Sequence, residues 1–195
     1  MNRQISFGQY RAIDLTIMLV LQAVSQMVIH FAATVLYADQ LYIVSPVAAV
    51  VALVMMRWNG WAAIHACVGG LLYALVAGGN WQHLLIYGIG NLLSLAALLM
   101  LKALGKEKIR KDALLTIIFA FLTQILMQLG RSAVAALLGY PADICIRFIT
   151  TDLLSCLFCV VIVWSARRVE GLFEDQKHYL LRIQREHKAE RGEQF

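Results

Sequence analysis

Basic residues divide this chain into apolar segments that are long enough to cross a membrane. Six such segments can be read, and lysine and arginine gather at alternate ends of them. Fifteen of the seventeen bases lie before the first segment, after the second, after the fourth or after the sixth. A bias of this kind sets membrane orientation, with the basic side in the cytoplasm. The predicted spans are residues 13–37, 43–56, 61–78, 83–101, 113–138 and 145–166.

The pattern predicts an all-α membrane protein, a six-transmembrane-helix bundle over residues 1–168 with both termini cytoplasmic. A hydrophobic content of 61% and a mean hydropathy of +0.70 support the membrane assignment. After Arg167-Arg168 the hydropathy falls sharply, and apolar residues recur at helical spacing among charges. We therefore expect residues 169–195 to form a cytoplasmic amphipathic helix, either a solvated extension or a docking surface for a partner.

Composition and motifs exclude several functional classes. The net charge of +5 follows the topology signals, so it does not indicate nucleic-acid binding. No G-x-x-x-x-G-K-[ST] loop and no H-E-x-x-H occur, and the C-x-x-C of Cys156 and Cys159 lies inside an apolar segment. The sequence predicts no enzyme, no cofactor and no metal site. Uphill transport by this chain would need a partner or an ion gradient.

Polar residues within the apolar segments concentrate in the outer half of the predicted bundle. At ~1.5 Å per helical residue they lie roughly 16 to 28 Å from the cytoplasmic ends of their helices, within a hydrocarbon core of about 30 Å. These residues are His30, Asn91, Gln124, Gln128, Arg131 and Asp152. Polar groups in a bilayer usually face a bundle interior or a cavity. The arrangement predicts an outward-opening funnel, typical of a protein that captures a solute.

The fifth segment carries Gln124, Gln128 and Arg131 on one helical stripe. Glutamines in such a stripe can simply join helices by hydrogen bonds. Arg131 needs a partner inside the bilayer, and Asp152 lies at a similar height on the sixth segment. The pair can be a fixed ion pair that locks two helices, or it can contact a charged or zwitterionic solute.

Two further patterns have alternative interpretations. Trp81, His83 and Tyr87 follow Gly78-Gly79 near the outer surface, where they form either an interfacial aromatic belt or a lid over a flat ring. The third segment carries a small residue at every fourth position, which lets a helix approach closely. This stripe serves either internal packing or contact with another membrane protein. Its members are Ala62, Ala66, Gly70 and Ala74.

Over residues 11–168 the chain resembles the S component of an energy-coupling-factor transporter. The resemblance is carried by six spans, a short second span from Ser45-Pro46, the turn from Arg57 to Trp61, and polar residues in the outer half of the last three spans. It implies a subunit of the bacterial cytoplasmic membrane that captures a vitamin or nucleobase-like micronutrient. The implied site residues are Trp81, His83, Asn91, Gln128, Arg131 and Asp152.

The same resemblance implies a transmembrane T component and two cytoplasmic ATPases as partners. The A-x-x-x-A pattern by which many members contact the T component is missing from the first segment. The architecture also resembles the rod-shape membrane protein D family, whose members are scaffolds of the cell-elongation machinery. Under that alternative the polar funnel is internal packing, and the tail contacts cytoskeletal or synthetic partners.

Overall fold

The computed structural model describes residues 6–36 and 44–190, and every regular element in those ranges is a helix. Five stretches are long and apolar enough to cross a membrane, as expected for an all-α membrane protein. They are Phe7–Val35, Val47–Val76, Trp81–Leu104, Ala113–Leu137 and Ala142–Ala166. Three predicted boundaries lie outside the described residues: the end of the first span, the start of the second and the end of the tail.

The α-helices of the described ranges follow one another with short connections. In chain order they are α1 (Phe7–Phe31), α2 (Val47–Trp58), α3 (Ala62–Val76), α4 (Trp81–Gly90), α5 (Leu98–Leu104), α6 (Lys106–Lys111), α7 (Ala113–Leu137), α8 (Ala142–Thr150), α9 (Leu153–Ala166) and α10 (Gln176–Glu190). A π-helical turn, Ala32–Leu36, continues α1. Two 3-10 helices, Asn59–Trp61 and Asn91–Ala97, join α2 to α3 and α4 to α5.

Side chains that accept backbone hydrogen bonds fix where three of the long helical stretches begin. Ser6 caps α1 in a reciprocal arrangement with Gln9. Asp112 caps α7 by accepting from the amides of Leu114 and Leu115. Asn80 caps α4 together with His83. Each cap satisfies amides that have no partner within the helix.

The stretch Val47–Val76 is a hairpin of two helices. Asn59 has a φ of 55°, in the left-handed region, and it reverses the chain between α2 and α3. Val47 lies so near Gly69 that a Cβ atom at position 69 would be 3.2 Å from the Val47 Cγ1 atom. A straight helix would hold residues 47 and 69 roughly 33 Å apart. The two arms of the hairpin therefore run antiparallel.

The short helix α2 forms the centre of the molecule. Eleven of its twelve residues are buried, and it packs against α1, α3, α7 and α9. The outer helices keep exposed apolar faces, such as Val28 on α1 and Leu157 on α9. In a membrane protein such faces meet lipid, so the core lies around α2 and the polar sites lie at its two ends.

Candidate functional site

Arg131 on α7 is the centre of a buried polar cluster. The residue is only 3% exposed. Its Nε donates to Asn91 Oδ1 at 2.7 Å, and its Nη1 donates to Gln128 Oε1 at 3.3 Å. Its Nη2 lies 3.3 Å from the Met127 sulfur, a weak acceptor. The guanidinium is thus held by neutral groups from two elements.

Asp152 is the acidic member of the cluster and stands between α8 and α9. Its Oδ2 is 3.7 Å from Arg131 Nη1, which is beyond direct hydrogen-bond distance. The same oxygen accepts from Gln124 Nε2 at 3.2 Å and from Gln128 Nε2. The side chain of Asp152 is 22% exposed, against 4% for that of Arg131. The carboxylate thus accepts hydrogen bonds from two glutamine amides, has Arg131 nearby as its cation, and lies at the open side of the cluster.

Asn91 connects the cluster to α3. Its Nδ2 donates to the Ala66 carbonyl at 3.0 Å, while its Oδ1 accepts from Arg131. It begins the 3-10 segment Asn91–Ala97, in which the Ser94 hydroxyl donates to the Asn91 carbonyl at 2.6 Å. Both polar groups of the Asn91 side chain are therefore satisfied, which fixes the direction of the oxygen that Arg131 uses.

Aromatic rings form one wall of the cluster. The Arg131 Cζ lies 4.7 Å from the centroid of the Tyr87 ring, a cation–π distance. Tyr73 contacts the Tyr87 ring at 4.7 Å between centroids, and Phe148 contacts it at 6.1 Å. The arrangement combines a cation, a carboxylate and aromatic faces in one place.

Glycines allow the helices to come close enough for these contacts. A Cβ atom on Gly130 would lie 2.0 Å from the Gly90 carbonyl oxygen, so α7 and α4 touch backbone to backbone. A Cβ atom on Gly70 would lie 2.0 Å from the Tyr87 carbonyl oxygen, so α3 is equally close to α4. The other small residues of the α3 stripe, Ala62, Ala66 and Ala74, are buried as well.

One acceptor in the cluster has no partner. The Oε1 atom of Gln124 is buried and unpaired among the described residues, while its Nε2 donates to Asp152. Because Asp152 fixes which end of the amide donates, the oxygen must point elsewhere. An unpaired buried acceptor is costly. The oxygen is therefore available to accept a hydrogen bond from one more donor.

The structure separates the remaining candidate residues from this cluster. Trp81 is 63% exposed, and His83 uses its Nδ1 to accept from the Asn80 amide in the α4 cap. His30 lies in the last turn of α1, where its carbonyl accepts from the Thr34 hydroxyl. None of the described hydrogen bonds joins these three residues to Arg131. The cap of α4 was recognisable from Asn80 followed by a polar residue three positions later.

Arg57 is a second buried arginine and lies at the opposite end of α2. In the sequence it was interpreted as a topology signal and as the start of the turn that ends at Trp61. Arg57 Nε donates to Asp14 Oδ2 at 3.0 Å, and Nη2 pairs with the other Asp14 oxygen. Its Nη1 donates to the Leu172 carbonyl at 3.1 Å and also to that of Gly171. Asp14 also accepts from the Trp58 indole. An acid inside the first apolar segment was the signal that could have revealed this cluster.

The residues after α9 fold back onto this end as a strap, defined here as residues 171–176. Phe173 is fully buried and packs on Phe119, with 6.4 Å between ring centroids. Lys106 pairs with Asp175 at 2.6 Å, and Arg110 pairs with Glu174 at 3.0 Å. The strap therefore joins the bundle through both apolar and charged contacts.

Burial and pairing shift the pKa values of the strap pair. Burial lowers the pKa of Lys106, and the hydrogen bond to Asp175 only partly offsets it. Burial alone would raise the pKa of Asp175, but the hydrogen bond and charge of Lys106, together with the backbone amide and charge of His178, outweigh it and leave the pKa below its usual value. The carboxylate of Asp175 is thus stabilised in its charged form by docking of the strap.

No protein-family model, curated protein or solved structure matches this chain. The assignment of function accordingly depends on the residues and their geometry.

Proposed function

We propose that this protein is the solute-capturing membrane subunit of an energy-coupling-factor-type uptake transporter for a vitamin or nucleobase-like micronutrient. It carries out no chemistry itself and takes its energy from a T component and two cytoplasmic ATPases. The observation that carries the proposal is the state of Arg131. Its guanidinium is buried among neutral acceptors, and its one carboxylate neighbour, Asp152, is 3.7 Å away and partly exposed.

Such a guanidinium can exchange partners at low cost. Its charge is only partly neutralised, and a carboxylate, a ring nitrogen or a carbonyl of a solute would add the close charged hydrogen bond that it lacks. Asp152 and the unpaired Gln124 Oε1 would accept donors from the same solute. Tyr73, Tyr87 and Phe148 would pack against a flat ring. Arg131 therefore supplies recognition of charge, and the aromatic wall supplies shape.

A six-pass topology belongs to this proposal. The hairpin of α2 and α3 turns Val47–Val76 back on itself, which supports six passes in place of five. Arg57 joins Asp14 near the start of α1 to Gly171 beyond the end of α9, so both ends of the bundle domain lie on one side. The basic loops favour the cytoplasm for that side of a bacterial membrane.

The first experiment is purification of the chain from its native host, followed by mass spectrometry of co-purified proteins and small molecules. The proposal expects a T component, ATPases and a bound micronutrient. Recovery with cell-wall synthesis proteins, without a T component or solute, would overturn it and favour a scaffold of the cell-elongation machinery.

A second experiment tests Arg131 itself with the identified solute. Arg131→Lys keeps the charge but removes the planar fork, so we expect solute affinity to fall about tenfold or more. The matched control is Arg147→Lys on α8, an exposed arginine outside the cluster, which should bind normally. Equal binding by both variants would contradict the assigned role.

A pair of alanine variants separates binding from folding. Arg131→Ala leaves the partly exposed carboxylate of Asp152 without its cation and should reduce both expression and uptake, because an unpaired charge inside the bundle is costly. The double variant Arg131→Ala, Asp152→Ala should regain expression. Uptake that stays absent in the double variant supports the binding role, whereas restored uptake means that the pair is purely structural.

A further inference from the structure

A groove of about 300 Å³ opens on the bundle surface between α1 and α3, near the end that carries Arg57. Its wall is mostly apolar, from Ala12 and Leu19 on α1 to Ile64 on α3, and His65 forms part of its inner side. Ile13 and Ile17, next to the groove on α1, are 51% and 53% exposed. In a membrane protein an exposed apolar surface of this kind faces acyl chains, so the groove opens towards lipid.

The mouth of the groove carries the cation Arg11. The Arg11 Cζ lies 4.3 Å from the centroid of the Trp61 ring. Among the residues whose side chains the structure describes, 6–36 and 44–183, no carboxylate forms an ion pair with Arg11, and the acid one turn away, Asp14, is committed to Arg57. Arg11 is therefore held in place by the indole while its charge remains without a counter-ion.

We propose that this groove binds one phospholipid with an acidic headgroup. The phosphate pairs with Arg11 beside the Trp61 indole, at the level where tryptophan meets headgroups. One acyl chain follows α1 from Ala12 to Leu19, about 10 Å at ~1.5 Å per residue. Basic pockets between transmembrane helices on the cytoplasmic side are known places for such headgroups.

The size of the groove agrees with part of one chain. A volume of 300 Å³ holds about ten groups the size of a water molecule, close to the size of a methylene. The site is therefore filled by roughly the upper half of a fatty acyl chain, and the remainder extends into the bilayer. The charge selects the headgroup class, and the apolar wall retains the chain whatever the headgroup.

Native mass spectrometry of the purified protein tests the proposal. The protein is equilibrated with equal amounts of phosphatidylglycerol and phosphatidylcholine that carry identical acyl chains. We expect the wild-type protein to retain one phosphatidylglycerol about fivefold in preference. Arg11→Gln should remove the preference, and Ala12→Leu, which fills the groove from an exposed position, should reduce retention of both lipids.

The matched control is Arg168→Gln. Arg168 lies 4.4 Å from the Trp164 ring centroid, so it forms a second arginine–tryptophan pair at the same end of the bundle. Its loss should leave the preference unchanged. An equal effect of the two arginine variants, or no preference in the wild-type protein, would overturn the proposal. So would a photo-crosslinker at Thr16 that captures another protein and no lipid in native membranes.

Discussion

The two buried arginines of this protein lie near opposite ends of α2 and differ in how their charge is satisfied. Arg57 shares two hydrogen bonds with the Asp14 carboxylate and donates to two backbone carbonyls. Arg131 donates to two amide oxygens and a sulfur, and its acid neighbour is 3.7 Å away. The first guanidinium has strong charged partners, and the second does not.

This difference in partners determines how easily each guanidinium can exchange one of its hydrogen bonds for a bond to a ligand. A carboxylate-paired arginine in a closed network resists exchange, because any new partner must replace a charged bond. An arginine held by neutral acceptors loses little when a charged ligand replaces one of them. Burial and residue type are nearly the same at both sites, so the partners alone distinguish them. Under the proposed function, Arg57 serves folding and Arg131 serves recognition.

The largest expected effect comes from Arg57. Arg57→Met removes the partner of Asp14 and frees the strap carbonyls, and we expect a loss of about 3–5 kcal/mol in the free energy of unfolding. Thermal unfolding in detergent measures it, and proteolysis should reach the tail more readily. A stability loss no larger than that of Arg147→Met would abolish the distinction between the two clusters.

The second largest effect is expected from Phe173, the apolar contact between the strap and the Arg57 end of the bundle. Phe173→Ala leaves a cavity beside Phe119 and should cost about 3 kcal/mol. If the strap only completes the Arg57 end of the bundle, the solute affinity per folded molecule should not change, since the Arg131 cluster is distant. Chemical unfolding combined with a binding assay checks both points. A matched loss of affinity would mean that the two ends are coupled.

A substitution at Gly130 tests the opposite end, the Arg131 cluster, where we expect weaker binding without an effect on the tail. Gly130→Ala introduces a Cβ atom 2.0 Å from the Gly90 carbonyl oxygen, so the helices must separate, at a cost of about 1–3 kcal/mol. The separation should weaken solute binding while the tail stays protected from protease. Gly60→Ala, which has no neighbour within 4 Å, is the control and should behave as wild type.

The smallest effect is a pH dependence confined to the strap. When the strap is docked, the pKa of Asp175 lies below its usual value. The stabilisation that the Asp175 carboxylate contributes to docking is therefore complete above about pH 3.9. It is lost as the pH falls through the lowered pKa. Hydrogen exchange at residues 171–176 should rise in this acid range. Asp175→Asn should exchange faster at neutral pH and lose the acid step; an unchanged step would assign it to another carboxylate.

The sequence predicted the apolar helices and several members of the Arg131 cluster for a simple physical reason. Hydropathy and charge act locally, and the stripe of Gln124, Gln128 and Arg131 follows directly from helical spacing. The structure places these side chains with Asp152, while their role in binding remains a prediction. The sixth pass remains a prediction too, because α2 is too short to count as a separate span.

Other features depend on contacts between distant residues. Helical spacing cannot indicate that Phe173, in a charged region, enters the core beside Phe119. The sequence pattern indicates a cap at Asn80, but it does not indicate that the His83 Nδ1 atom accepts from the Asn80 amide, since that depends on the orientation of one ring nitrogen. The packing of the 3-10 segment Asn91–Ala97 against α7 likewise joins residues that are far apart in the sequence.

The bonds of Arg57 also impose an order on biosynthesis. Asp14 on α1 precedes Arg57 on α2, so this ion pair can form once both helices have emerged from the ribosome. Gly171 and Leu172 are made more than a hundred residues later. Until these two residues are made, the Nη1 atom of Arg57 lacks the carbonyls that accept its hydrogen bonds in the complete chain. Arg57 thus joins an early product of translation to a late one, and a chain interrupted before residue 171 lacks the two carbonyls that accept from its Nη1 atom.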